Sequence, residues 1–257
     1  MAWSDWREKR WREQRPPQLL DWSLVSRRIN KKPRPVERFK TGIESFDRFM
    51  GGGLPYGMTL LLGAAGTGKS LMAKTIARKV GESGKKVFYF FGEDSADAPY
   101  NPPRLNTVDM VSWKPGVDKA IKTVETIVDK EKPDLIVLDS MTTILSQTSR
   151  AVPESEVREY TKKLAADLSG ILPIIATSEV RGAGQWRQPA GGQGVRHASI
   201  ATLELSKKLN ETKWDAEANG GEIGDVVWFV LAEDRDGQAK QGSLHRITYL
   251  DGEMLIE

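Results

Sequence analysis

Gly63-Ala64-Ala65-Gly66-Thr67-Gly68-Lys69-Ser70 is the stretch on which the reading of this 257-residue chain turns. It has the form G-x-x-x-x-G-K-[ST], a loop whose glycines let successive backbone N–H groups point at one anion. An apolar run, 58–63 (MTLLLG), precedes it, and a helical pattern over 69–82 follows. That order adds the positive end of a helix dipole to the same anion. The predicted phosphate-binding set is therefore Gly63, Ala64, Ala65, Gly66, Thr67, Gly68, Lys69, Ser70 and Leu71. In such a loop the lysine, here Lys69, reaches the β- and γ-phosphates, and the hydroxyl of Ser70 is a Mg²⁺ ligand. ATP and Mg²⁺ are the expected cofactors.

Outward from this loop the chain alternates apolar runs with helical stretches. Runs at 86–91 (KVFYFF), 134–139 (DLIVLD) and 171–177 (ILPIIAT) are continuous, as expected for parallel strands covered on both faces. Helical patterns at 117–131 and 154–169 separate them. The last third reads differently, with strands near 199–206, 226–233 and 244–250 joined by hairpin-like loops such as Asp236-Gly237. The expected fold class is α/β, a wound and mostly parallel sheet flanked by helices with antiparallel C-terminal strands.

Two strand ends carry acids. The run 134–139 ends in Asp139, about 70 residues after the loop, where an acid would share Mg²⁺ with Ser70. The run 86–91 delivers Gly92-Glu93-Asp94 to the C-terminal edge of the sheet, where ligands of open α/β sheets bind. Glu93 is the candidate base that orients and polarises an attacking water, with Asp94 as its neighbour or substitute.

Composition narrows the classes. The chain has no cysteine and two histidines, which excludes disulfides, a thiol nucleophile and cysteine-ligated metal centres and disfavours a multi-histidine site. His197 and His245 read as structural. No apolar run approaches the roughly 18 residues that span a bilayer, so the expectation is a cytoplasmic protein without a membrane partner. The net charge of +3 is uneven: the first 40 residues carry +7 and the remainder −4. That first segment also holds Trp3, Trp6, Trp11 and Trp22 and is interrupted by Pro16-Pro17 and the 31–35 run KKPRP. Residues 4–15 suit a short basic helix. The chain divides on this reading into a basic, tryptophan-rich extension, 1–40, and an ATPase core, 41–257. Indoles and guanidiniums in the extension suit either packing against the core or stacking on single-stranded nucleic acid.

The run Thr41-Gly42-Ile43-Glu44-Ser45-Phe46-Asp47, then Gly51-Gly52-Gly53-Leu54-Pro55-Tyr56-Gly57 and the phosphate loop, resembles the entry segment of the RecA/RadA/KaiC superfamily. Gly92-Glu93-Asp94-Ser95 is similar to the F-E-E-S segment of KaiC-like ATPases, whose adjacent glutamates activate water. The resemblance implies a RecA-type core and the same roles for Glu93 and Asp94. It also marks departures. Where recombinases carry T-N-Q, this chain has Thr177-Ser178-Glu179, which makes the γ-phosphate sensor acidic at Glu179. Pro189-Ala190-Gly191-Gly192-Gln193 resembles the end of the second DNA loop, with Gln193 in place of His or Asn. The basic, aromatic segment between offers Arg181, Trp186 and Arg187, and beyond it Arg196, as DNA contacts. Asp234-Arg235-Asp236-Gly237 through Lys240 resembles the KaiC-like stretch that sends cations to a neighbour's γ-phosphate, making Arg235 and Lys240 candidate trans-acting fingers. A homo-oligomer would then be required.

With about 40 residues before the core, the chain is more similar to a RadA paralogue or a single-domain KaiC-like ATPase than to a strand-exchange recombinase. The first functional expectation is an ATPase that binds single-stranded DNA and modulates a RadA-type recombinase. The alternative is a nucleotide-switched signalling or assembly ATPase that acts through protein partners without DNA. A small-molecule P-loop kinase fits least, because it would need a lid and an acceptor pocket, and the antiparallel C-terminal strands point elsewhere.

Overall fold

Six parallel strands carry the phosphate loop. The computed structural model describes residues 37–91, 105–109, 116–141, 154–168, 170–181, 188–189, 192–250 and 253–257. The parallel set comprises β3 (Met58–Gly63), β4 (Val87–Phe91), β5 (Leu105–Asp109), β6 (Leu135–Asp139), β7 (Ile174–Arg181) and β9 (Ala201–Leu209). Their spatial order is β9-β3-β7-β6-β4-β5. Beyond β9 the sheet continues antiparallel through β10 (Val226–Asp234), β11 (Leu244–Leu250) and β12 (Glu253–Ile256). This is the expected architecture.

Continuous apolar strands form because each face of the sheet is covered, so both side-chain sets are buried. On one face Leu61, Tyr89, Val137 and Ile175 meet Met72, Ala73, Ile76 and Val80 of α2 (Lys69–Glu82) and Phe46 and Phe49 of α1 (Glu44–Phe49). On the other, Leu60, Phe88, Phe90, Ile136 and Leu138 meet Val124 of α3 (Gly116–Glu131), Leu164 and Leu168 of α4 (Glu154–Leu168), and Val195 of α5 (Gln193–Ala198). The alternation of Leu60 with Leu61, and of Ile136 with Val137, is the period-two signature of a strand between two layers.

Before the sheet, β1 (Arg38–Phe39) pairs with β2 (Leu54–Pro55). The Thr41–Asp47 motif has a mechanical reason. Asp47 accepts from Thr41 N at 3.0 Å, Thr41 Oγ1 at 2.7 Å and Gly42 N at 3.2 Å, closing the turn that starts α1.

The structure departs from the sequence reading in four places. Strand β7 runs past Thr177 to Arg181, because β8 (Gln188–Pro189) returns antiparallel against Val180 and Arg181. Strands β5 and β12, short and at opposite edges of the sheet, were not expected. Between β9 and β10 the chain builds α6 (Lys213–Asn219), started by a reciprocal cap in which Thr212 and Asp215 bond each other's side chain and backbone N–H. The hydrogen bond from the Thr212 hydroxyl holds the Asp215 carboxyl below its ordinary range. The turn after β10 is organised by buried Asp234. It accepts from Arg38 Nη2 at 2.6 Å and from the backbone N–H groups of Asp236, Gln238 and Ala239. The basic helix expected at 4–15 lies outside the described residues.

Candidate nucleotide-binding site

Strand β3 ends at Gly63, where there is no room for a side chain. A Cβ there would stand 2.5 Å from Thr67 Oγ1 and 2.6 Å from the Leu205 carbonyl oxygen of β9. The loop then turns back on itself. Thr67 Oγ1 donates to the Ala64 carbonyl at 2.8 Å, and Gly68 takes a left-handed conformation, φ +89°, to start α2. Among the described residues no side chain caps that helix, and no acid sits in its first turn, so its N–H groups and dipole are open to an anion. Ala64, Ala65 and Gly66 are exposed, and Leu71 stands 45% exposed on the first turn.

Lys69 is buried, with its ammonium at the centre of the loop. Nζ donates to the carbonyls of Gly63 at 3.0 Å and Ala64 at 2.9 Å. A phosphate oxygen can take the place of these neutral acceptors with a charge-assisted bond.

One turn into α2, Ser70 Oγ donates to Asp139 Oδ1 at 3.0 Å, which brings together the two predicted metal ligands from residues 69 apart in sequence. Asp139 is buried at the end of β6 and held from two further sides. Thr177 Oγ1 donates to Oδ1 at 2.6 Å and Tyr89 OH to Oδ2 at 2.5 Å. Three hydroxyl donors satisfy the hydrogen-bonding needs of this buried carboxyl group. The donor set is hard oxygen, with few protein ligands. That suits Mg²⁺, which takes one or two protein oxygens and completes its shell with water and phosphate. Among the described residues no cluster of three or more His, Asp or Glu side chains competes as a metal site.

Tyr89 and Thr177 were missed as site residues by the sequence reading. The available signal for Tyr89 was a single hydroxyl in the apolar run VFYFF, since a buried tyrosine normally needs a partner. Glu93, Asp94, Trp186 and Arg187 lie outside the described residues. Glu179 is exposed within β7 and pairs in register with Gly63, at the start of the phosphate loop. Arg181 ends the same strand. Arg196 is committed elsewhere: its guanidinium forms a bidentate ion pair with Glu233 at 2.9 and 2.5 Å. Arg235 and Lys240 are exposed at the end of the sheet opposite the loop, near Asp234, which pairs with the first residue of β9. Arg235 Nη2 stands 3.4 Å from His197 Nδ1. His245 packs edge-on against Phe49, in keeping with a structural role.

A protein-family model described as "ATPase: KaiC" matches residues 39–101. A DNA repair protein RadA from Aquifex aeolicus is 40% identical over 135 residues, covering 50% of this chain and 29% of that protein. The DNA repair protein RadA of Mycolicibacterium smegmatis is 34% identical over 139 residues, covering 52% and 29%. The chain thus spans under a third of the length of these relatives. A solved structure of a KaiC-like protein from Pyrococcus horikoshii OT3 superposes with a TM-score of 0.66 at 20% identity, covering 87% of this chain and all of that one. At that identity the likeness is one of fold.

Proposed function

We propose that this chain, a RecA/RadA/KaiC-like P-loop protein, is a Mg²⁺-dependent ATPase that works as an oligomer on single-stranded DNA during recombination or repair. The observation that carries the ATPase reading is the convergence of Lys69, Ser70 and Asp139 on one exposed, glycine-turned loop. Lys69 would bind the β- and γ-phosphates, while Ser70 and Asp139 would hold the metal. Mg²⁺, when bound, neutralises charge on the phosphate oxygens. Tyr89 and Thr177 keep Asp139 oriented. Glu93, with Asp94 beside it, would take the proton of a water attacking the γ-phosphorus, as the F-E-E-S likeness implies. Glu179, paired in register with the first residue of the loop, is the candidate sensor.

Several features support the wider reading. Two relatives are named DNA repair proteins. Trp186 and Arg187 come soon in sequence after Arg181, which ends β7, the strand whose Glu179 pairs with Gly63 at the start of the loop. The extension 1–40 adds charge of +7. Arg196 contributes least to a DNA surface, because Glu233 already neutralises it. Arg235 and Lys240 sit at the end of the sheet away from their own loop, a position from which they would serve another copy's nucleotide. No helix among the described residues is long and apolar enough to cross a membrane, and a cytoplasmic setting alongside a RadA-type recombinase follows as part of the same proposal.

The test is the ATP hydrolysis rate with Mg²⁺ across protein concentration, with and without single-stranded DNA. The expected result is a rate per chain that rises with concentration and with DNA, and DNA affinity that falls steeply with salt. Absence of hydrolysis under all conditions overturns the ATPase reading. Hydrolysis with no DNA binding at low salt moves the chain to a nucleotide-switched assembly that acts through protein partners. Glu93→Gln should retain bound ATP and stop its turnover.

A further inference from the structure

Strand β9 pairs with β3 only as far as Leu62 and Glu204, then continues five residues, 205–209, past the start of the phosphate loop. Its partner β10 runs alongside, with Trp228 directly opposite Lys207. Directly opposed residues in an antiparallel pair point to the same face of the sheet. Here that face looks onto the loop. Lys207 Nζ stands 3.1 Å from where a Cβ on Gly66 would be, and Trp228 Cδ1 and Nε1 stand 3.6 and 3.8 Å from the equivalent point on Gly68. The two glycines in left-handed conformation thus lie directly beneath an ammonium and an indole.

These side chains are differently held. Trp228 is half-buried, with its ring edge-on to Tyr249 at a centroid separation of 6.3 Å and an interplanar angle of 84°. Tyr249 is itself half-buried, with its hydroxyl oxygen shielded from solvent, and that desolvation pushes its phenol well above its ordinary pKa. The indole is therefore backed by a second aromatic ring. Lys207 is exposed and forms no ion pair among the described residues.

The metal-ligand pair lies on the other flank of the loop. Asp139 belongs to β6, which is reached from β3 across β7, whereas Lys207 and Trp228 belong to β9 and β10 on the opposite side of β3. A triphosphate in the loop with its terminal group toward Ser70 and Asp139 would have β9 and β10 on its other side. Resting on the ATPase reading above, we infer that Lys207 is a second phosphate-binding cation contributed by the same chain. We infer equally that Trp228 is the platform against which the ribose and base of a nucleoside di- or triphosphate pack. The class of ligand follows from the chemistry: an ammonium reads phosphate charge, and an indole reads an aromatic base by its face. Base selectivity at this wall would be modest, because every base has such a face.

The experiment compares ADP with inorganic tripolyphosphate, each with Mg²⁺, by calorimetric titration of the full chain. Trp228→Ala should weaken ADP by about tenfold, the scale of one lost base–aromatic stack, and leave tripolyphosphate within about twofold. Trp228→Phe, which keeps a ring in the same packing, should restore most of the loss. Lys207→Gln should weaken both ligands by a similar factor and flatten their dependence on salt. Unchanged ADP affinity in Trp228→Ala overturns the platform, as does equal loss of both ligands. Unchanged affinity in Lys207→Gln overturns the second cation. If the unsubstituted chain binds neither ligand, it is the ATPase reading that fails.

Discussion

The two ends of the parallel sheet each bury a carboxylate, and they treat it in opposite ways. At the loop end Asp139 is surrounded by the hydroxyls of Ser70, Thr177 and Tyr89, all neutral, beside a lysine whose ammonium rests on backbone carbonyls. At the other end Asp234 is paired with the Arg38 guanidinium, both side chains almost fully buried, and takes three backbone N–H groups as well. Asp234 has its countercharge inside the protein and serves to fasten β1 to the turn after β10. Asp139 has no cation among its hydrogen-bonded partners in the described residues, which leaves it the candidate to face a metal. The same residue type is a structural anchor where the fold supplies the positive charge and a candidate metal ligand where it does not.

The largest effect that would sharpen this contrast is on function alone. Lys69→Ala should reduce ATP turnover by at least about 10²-fold, on the scale of removing one preorganised donor from a transition state, while the melting temperature changes little. Residual turnover near the original rate would break the assignment of the loop end. Asp234→Ala should do the reverse. Leaving buried Arg38 with only Asp236, at 3.4 Å, as its countercharge costs up to about 3–5 kcal/mol, which corresponds to a melting temperature lower by up to roughly 10 °C, readable by calorimetry. ADP affinity below the transition should persist. Loss of nucleotide binding in the folded variant would show the two ends to be coupled.

Smaller changes probe how completely each group is satisfied. Thr177→Val removes one of three donors to Asp139 and should cost about 1–3 kcal/mol in denaturant unfolding. Added Mg²⁺ and ADP should recover part of that loss. Tyr249→Phe should be neutral or stabilising by about 1 kcal/mol, because the phenol oxygen is buried with no partner among the described residues. A clear destabilisation would mean that the hydroxyl has a partner after all.

Much of the framework was legible beforehand because local rules govern it. The strand 58–63, the helix 69–82 and the strand 244–250 stand where their periodicity predicts. Asp139 could be anticipated as the acid ending an apolar strand. The misses share a cause. Tyr89 and Thr177 sit on different strands from Asp139 and become its partners only through the order β7-β6-β4. Lys207 looks like any solvated lysine, and Trp228 like any core aromatic, until the overhang of β9 and its register with β10 carry both over the loop. Arg196 looked like a free cation in sequence, but the fold presents it to Glu233.

From residue order alone came the things short stretches can encode: a glycine spacing that turns a backbone around an anion, apolar periodicities that choose strand or helix, and an acid at a strand's end. The folded chain decided which charges are neutralised within the protein and which remain for a ligand. Charge pairing depends on separations of a few ångströms between residues far apart along the chain. Strand order and register set those separations, and no single segment contains them.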